Sequence, residues 1–296
     1  MPTKHANDAK NVFVFFVGEK LKLVRKMVRS DFKSLLSNKP VLIGMVHLPA
    51  LPGSPDYRGD FDDIIRFAEK EAKTIYKSGF HAIMFENLGD APYFPEHVPN
   101  ETIAAMTVIA DRIKRNTKLP VGVNVLRNDA LAALAIAVAA QLAFLRVNIL
   151  TGAAVTDQGL IQGQAHVLLR ERQRLRGENV AILADLRVKH AAPLVARDLA
   201  QEVEEFFERA RCSAIIVSGT GSGKPVDVEF LREVRQAAAQ RPVLIGSGLN
   251  VSNAADLLAI ADGAIVGSSI KEEGRIQNAI DRKRAEELVK ACNVKK

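Results

Sequence analysis

The stretch VLIGSGLNVSNAADLLAIADGAIVGSSI, residues 243–270, decides the fold. An apolar run of buried-strand type closes on Gly-Ser-Gly, a short helix-forming segment follows, and a second such run closes on Gly-Ser-Ser. Glycine at a strand end lets backbone N–H groups approach an anion, and in (β/α)8 barrels the loops after the last two strands build phosphate sites of this kind. Gly246, Ser247, Gly248, Gly267 and Ser268 are therefore the candidate phosphate-binding residues.

Upstream of this pair, from Pro40 on, short apolar runs alternate with helix-period segments, the pattern of successive βα units around a parallel sheet. Eight strands are expected, at 41–46, 82–86, 121–125, 144–148, 180–185, 214–218, 243–246 and 263–267. The fold class is α/β, a single (β/α)8 TIM-barrel domain over 31–296 behind a short, flexible N-terminal extension at 1–30. The first helix shows its period clearly, with Phe61, Ile64, Ile65, Ala68, Ala72 and Ile75 on one stripe, Asp60 as N-cap and Gly79 as its stop. Helix-to-strand connections are brief, whereas the strand-to-helix connections 47–59, 87–99 and 149–162 are long. Function is therefore expected at the strand C-terminal face.

Charged residues make up 25% and hydrophobic residues 48% of 296, an ordinary globular balance. The formal charge of +7 sits at the ends: residues 1–38 carry +5 and 290–296 carry +3, which leaves the 251-residue body at −1. No stripe of basic and aromatic residues crosses that body, so a nucleic-acid partner is not expected. Cys212 and Cys292 have neither metal-ligand nor disulfide spacing, which fits a cytoplasmic protein. VFVFFV at 12–17 is too short to span a bilayer and, lying before its basic stretch, makes a poor signal peptide. Peripheral membrane contact through 12–28 is the alternative to a flexible extension, and Met27 is an alternative start to Met1. The segment 130–143, ALAALAIAVAAQLA, carries no charge, which points to a homo-oligomer interface on an outer helix; exposed small alanines are the other explanation.

Side chains alternate along a strand, so the outer face packs on apolar helices and the polar set points into the barrel. That parity brings His47, Glu86, Asn124, Asn148, Asp185 and Ser218 to a ring at the strand tips, too polar for an interior serving stability alone. Arg146, a layer deeper, needs a partner when buried, and Glu86 or Asp185 can supply it. After Asp185, the run ADLRVKHAAP adds Lys189 and His190. The catalytic candidates are thus His47, Glu86, Asn124, Asn148, Asp185, Lys189 and His190. Glu86, Asp185, Lys189 and His190 form the acid/base pool, and the two asparagines orient hydroxyls. Schiff-base chemistry needs a desolvated lysine, which a loop position does not favour for Lys189. Thr151, Asp157 and Gln158 of loop 149–162, with Ser218, are candidates for contacting and covering the substrate. Metal binding is the rival use of His47, Glu86, Asp185 and His190, with a divalent metal as the possible cofactor. GTGSGK at 219–224 is not a Walker loop, because Ser218 replaces its first glycine and Pro225 its Ser/Thr; as a Gly-rich loop it still offers Lys224 to an anion.

These motifs carry a resemblance. GMVHLPALPGSP (44–55), ENLGDAPY (86–93), PVGVNVLRND (120–129), RVNILTGAAVTDQGLIQG (146–163), ILADLRVKHAAP (182–193), and IGSGLN with ADGAIVGSSIK (245–250, 261–271) are similar to the BtpA/SgcQ family of (β/α)8 barrels over about residues 40–275. The resemblance implies the fold more firmly than an activity: cyanobacterial members are associated with photosystem I biogenesis and the thylakoid surface, while others look like sugar-phosphate enzymes. The sequence departs from the family pattern at Arg187, where an aromatic or His is more usual and substrate choice is affected, and at NAID (278–281), in place of Asn-Pro-Val-Asp. The leading functional reading is an isomerase, lyase or hydrolase acting on a small phosphorylated molecule. The alternatives are a non-catalytic photosystem or membrane-biogenesis assembly factor and a metal-dependent hydrolase.

Overall fold

The computed structural model describes residues 32–36, 40–219, 221 and 225–293. The extension 1–30 with Met27, and Lys224 of the Gly-rich loop, lie outside the described residues. A helical turn, α1 (Phe32–Leu35), precedes the first strand β1 (Val41–His47). The chain then runs α2 (Phe61–Lys77), β2 (Ala82–Glu86), α3 (Asn100–Asn116), β3 (Val121–Asn124), α4 (Ala130–Ala139) and β4 (Phe144–Val147). A hairpin of β5 (Ala153–Thr156) and β6 (Gly159–Gln162) leads into α5 (Ala165–Arg174), β7 (Ala181–Leu186) and the short β8 (Ala191–Pro193). The remainder is α6 (Leu199–Glu208), β9 (Ala214–Val217), α7 (Val228–Ala238), β10 (Val243–Ile245), α8 (Ala254–Leu258), β11 (Gly263–Val266) and α9 (Arg282–Cys292).

Eight of these strands close a parallel barrel in the order β1-β11-β10-β9-β7-β4-β3-β2. Each expected strand is present, with ends that differ by a residue or two. Two apolar layers follow from the alternation of side chains. Leu42, Val46, Ile83, Phe85, Val121 and Val123 face the helices. Val41, Ile43, Met45, Met84, Phe144, Leu183, Ile216, Leu244 and Ile265 fill the barrel itself. The Phe144 ring occupies the space a Cβ at Gly122 would take, and Phe32 of α1 packs on it with ring centroids 5.6 Å apart. Thus α1 closes the N-terminal end, and the polar side chains are left at the other end.

Local signals act as the sequence suggests. The Asp60 side chain accepts from Asp63 N at 2.9 Å and caps α2, a contact of the kind that contributes about 1 kcal/mol. Ile64, Ile65, Ala68, Ala72 and Ile75 of that helix are buried. Two features differ from expectation. The loop 149–162 is an antiparallel hairpin, and β5 also pairs with β8, which makes a three-stranded sheet β6-β5-β8 beside the barrel mouth. The uncharged segment owes its composition to burial within the chain: Ala130, Ala132, Ala133, Leu134, Ile136 and Ala137 are covered, and α4 lies between α3 and α5. Only Ala139 and Gln141 of 130–143 are exposed, so the missing charge needs no second copy to explain it.

Candidate active site

In the parallel register His47 lies beside Glu86, Glu86 beside Asn124 and Asn124 beside Arg146. The tips of β1 to β4 therefore carry one continuous polar row, all of it buried. Arg146 belongs to this row rather than to a deeper layer. Its partner is Asp185: Nε donates to Oδ2 and Nη2 to Oδ1, both at 2.8 Å. Burial alone would lower the Arg146 pKa; the Asp185 pair and the charge of Glu86 outweigh that and raise it. Asp185 also accepts from Asn148 Nδ2 at 2.9 Å and from Ser218 Oγ at 3.4 Å. Its carboxylate is thus occupied by three neighbours.

Glu86 is differently placed. It accepts from Asn124 Nδ2 at 3.1 Å, and its Oε1 stands 3.6 Å from His47 Nε2. Burial pushes its carboxyl up, yet His47, Arg146, Lys189 and the Asn124 hydrogen bond together hold it below the usual carboxylate range. Burial has the opposite consequence for the imidazole: His47 is lowered to about 4, because desolvation and the cations Lys271, Lys189 and Arg146 outweigh the attraction of Glu86. His47 is neutral at pH 7, and its buried Nδ1 has no partner among the described residues.

These groups share a cavity with the Gly-Ser turns. A pocket of about 420 Å³, solvent at its mouth included, is lined by His47, Glu86, Arg146 and Lys189 on one side. The other side is built from Gly246, Ser247, Gly248 and Leu249 after β10 and Gly267, Ser268 and Ser269 after β11. The glycines have distinct reasons. Gly248 has φ +76°, a conformation side-chain-bearing residues rarely adopt. Gly246 and Gly267 face inward: a Cβ at Gly267 would sit 2.8 Å from His47 Cε1, and one at Gly246 would collide with Ser218. Ser247 Oγ accepts from Gly219 N at 3.0 Å and ties the β10 turn to the one after β9.

Not all the expected residues converge. Asn124, Asn148, Asp185 and Ser218 stand behind the pocket wall as hydrogen-bond partners, whereas His190 is exposed with φ +57°. Asp157 and Gln158 form the tip of the β5–β6 hairpin and Thr151 its approach; none of the three lines the pocket. Among the described residues no three of His, Cys, Asp and Glu come together as a metal site, and the four candidate ligands are split between the Arg146 pair, the His47–Glu86 contact and the surface. Arg187 also points elsewhere, to Glu202 at 3.1 Å and over the Phe230 ring, so its departure from the family pattern falls outside the pocket.

Three contributors escaped the sequence reading. Ser269 lines the pocket with a buried Oγ that has no partner among the described residues; it is the third member of the same Gly-Ser-Ser turn, so its signal was present. Arg127 is buried and donates from Nη2 to the Lys189 carbonyl at 2.8 Å. Asn87 joins the β2 and β3 ends by accepting from Leu126 N at 2.8 Å and donating to Asp90 at 2.9 Å. The last two pairings link distant loops, and no local pattern announces them.

Fold and pocket define a (β/α)8 barrel with its candidate site at the C-terminal face of the strands. The profile of the BtpA family matches residues 37–294, and the chain belongs to that family. It is 44% identical over 260 residues to the photosystem I biogenesis protein BtpA of Synechocystis sp., covering 88% of this chain and 90% of that one. An uncharacterized protein of Methanocaldococcus jannaschii, MJ1115, is 44% identical over 259 residues, with 88% and 97% covered. Among solved structures, thiamine phosphate pyrophosphorylase from Pyrococcus furiosus superposes with a TM-score of 0.55 at 16% identity, covering 87% of this chain and 97% of its own. N-(5'-phosphoribosyl)anthranilate isomerase from the same organism gives 0.51 at 12%, with 85% and 98% covered. At such identities these likenesses show the fold.

Proposed function

We propose that this protein is an enzyme acting on a small phosphorylated metabolite, with the phosphate on the turns at 246–248 and 267–269 and the reacting carbon facing His47, Glu86 and Lys189. One observation carries the reading: both Gly-Ser turns and this titratable group line a single cavity. Two barrels similar in fold bear names that contain phosphorylated compounds, which agrees with it. Glu86, held ionised, acts as general base, and neutral His47 orients it or relays its proton. Asp185 fixes Arg146, whose charge faces the pocket, and Asn124 and Asn148 hold the two carboxylates in place. The hairpin bearing Thr151, Asp157 and Gln158 is proposed to cover the mouth, with His190 at its edge. We place the reaction in the cytoplasm: burial pushes the free thiols of Cys212 and Cys292 up to about 12 and about 11, which suits structural cysteines in a reducing compartment. No helix among the described residues is long and apolar enough to cross a membrane.

The test is thermal stability against a panel of phosphorylated metabolites and their unphosphorylated counterparts. A ligand at 100 times its Kd stabilises by about 2.7 kcal/mol. Phosphorylated compounds are expected to raise Tm, the unphosphorylated ones to leave it unchanged, and Ser268→Asp to remove the effect by placing a like charge at the turn. No response to any phosphorylated compound would contradict the proposal. An assembly role is the second reading, supported by the name of the Synechocystis relative. Capture of a membrane-protein partner by protein that shows no phosphate response would favour it.

A further inference from the structure

Lys189 is better prepared than a loop lysine. Its carbonyl is held by the buried Arg127, and the strand that begins two residues later, β8, is paired to β5. The backbone is thus anchored at the Lys189 carbonyl and just beyond it, while the side chain lines the pocket with Glu86, His47 and Arg146. Among the described residues its ammonium makes no hydrogen bond or ion pair. Burial and the charge of Arg146 lower its pKa, in the direction that supplies the neutral amine.

We propose that Lys189 is a nucleophile that forms a Schiff base with the carbonyl carbon of a phosphorylated aldehyde or ketone whose phosphate rests on the turns at 246–248 and 267–269. This inference rests on the phosphate reading above and names the substrate class for it. The Lys189 ammonium gives one proton to the Glu86 carboxylate, and the freed lone pair attacks the carbonyl carbon. As the C–N bond forms, the carbonyl π pair moves to oxygen, which takes a second proton from nitrogen to give a carbinolamine. The C–O bond then breaks as the hydroxyl receives the proton back from Glu86 and leaves as water, and the nitrogen lone pair closes the C=N bond. Ammonium and carbonyl become iminium and water, with charge conserved and Glu86 ionised again. No oxidant or reductant is required.

The full-length protein is incubated with glycolaldehyde phosphate, glyceraldehyde phosphate or pyridoxal phosphate, and in parallel with the unphosphorylated aldehydes. Adducts are trapped with borohydride and located by peptide mass spectrometry, with and without inorganic phosphate as competitor. Anchoring the phosphate makes the condensation effectively intramolecular, so labelling of Lys189 is expected to exceed that by the unphosphorylated aldehydes about tenfold or more. Inorganic phosphate is expected to suppress it. Lys189→Arg should lose the adduct and keep its thermal stabilisation by inorganic phosphate. Stabilisation by phosphate with no adduct at Lys189 would overturn the Schiff base and leave the phosphate site standing. Equal labelling by both aldehyde series, unaffected by phosphate, would mark Lys189 as an ordinary reactive lysine and also overturn it. Absence of both phosphate stabilisation and phosphate-suppressed labelling would remove the underlying reading as well.

Discussion

At the tip of β1 the His47 imidazole is 8% exposed, lies 3.6 Å from Glu86 and leaves Nδ1 without a partner among the described residues. Its pKa of about 4 lies below the ordinary 6.5, so between those values the unfolded chain binds the proton that the folded chain refuses. Stability from His47 is then fully present above pH 6.5 and is lost as pH falls toward 4, by about 2 kcal/mol at pH 5 relative to pH 8. Denaturant unfolding at the two pH values should show this loss in the native chain and a smaller one in His47→Gln. An equal slope in both would mean that His47 titrates normally. The residue type and inward direction of His47 were legible from the alternation along β1. The partner of Arg146 was not: Glu86 and Asp185 both qualified by parity, and only the register of β4 against β7, with Arg146 beside Leu183, brings Asp185 within reach.

At the scale of elements, the strand-end turns carry the proposed site. Gly267 has φ −119°, outside the left-handed region, and a Cβ there would meet the His47 ring at 2.8 Å. Gly267→Ala should therefore act sterically, costing about 1–3 kcal/mol as an overpacked position and displacing His47 from Glu86. Unchanged Tm together with an unchanged pH profile would refute that assignment. The sequence reading gave these glycines to anion approach only; the structure adds that two of them make room for the facing polar side chains. All eight barrel strands were legible because each is a short apolar run between turn signals. The sheet β6-β5-β8 was not, since β8 is three residues ending in proline and its partners lie 35 to 39 residues earlier, a pairing that local periodicity does not encode. The uncharged α4 shows the converse case. Its lack of charge points from sequence to an interface between copies or to exposed alanines, whereas the covering surface is the chain's own α3 and α5.

Across the whole molecule the two ends of the barrel divide the work. Phe32 and Leu35 close the N-terminal end on the apolar interior, whereas the C-terminal end holds the polar row and both Gly-Ser turns. Net charge concentrated at the chain termini leaves the barrel body near neutrality, so the negative charge of the proposed ligand would be met locally, by backbone N–H groups and Arg146. The most direct measurement is a crystal structure of the full chain grown with inorganic phosphate. A tetrahedral anion is expected within hydrogen-bond distance of backbone N–H groups of both turns, at 247–248 and 268–269, on the side of the cavity facing Lys189. Well-ordered turns without an anion, while phosphate binds elsewhere on the molecule, would contradict it.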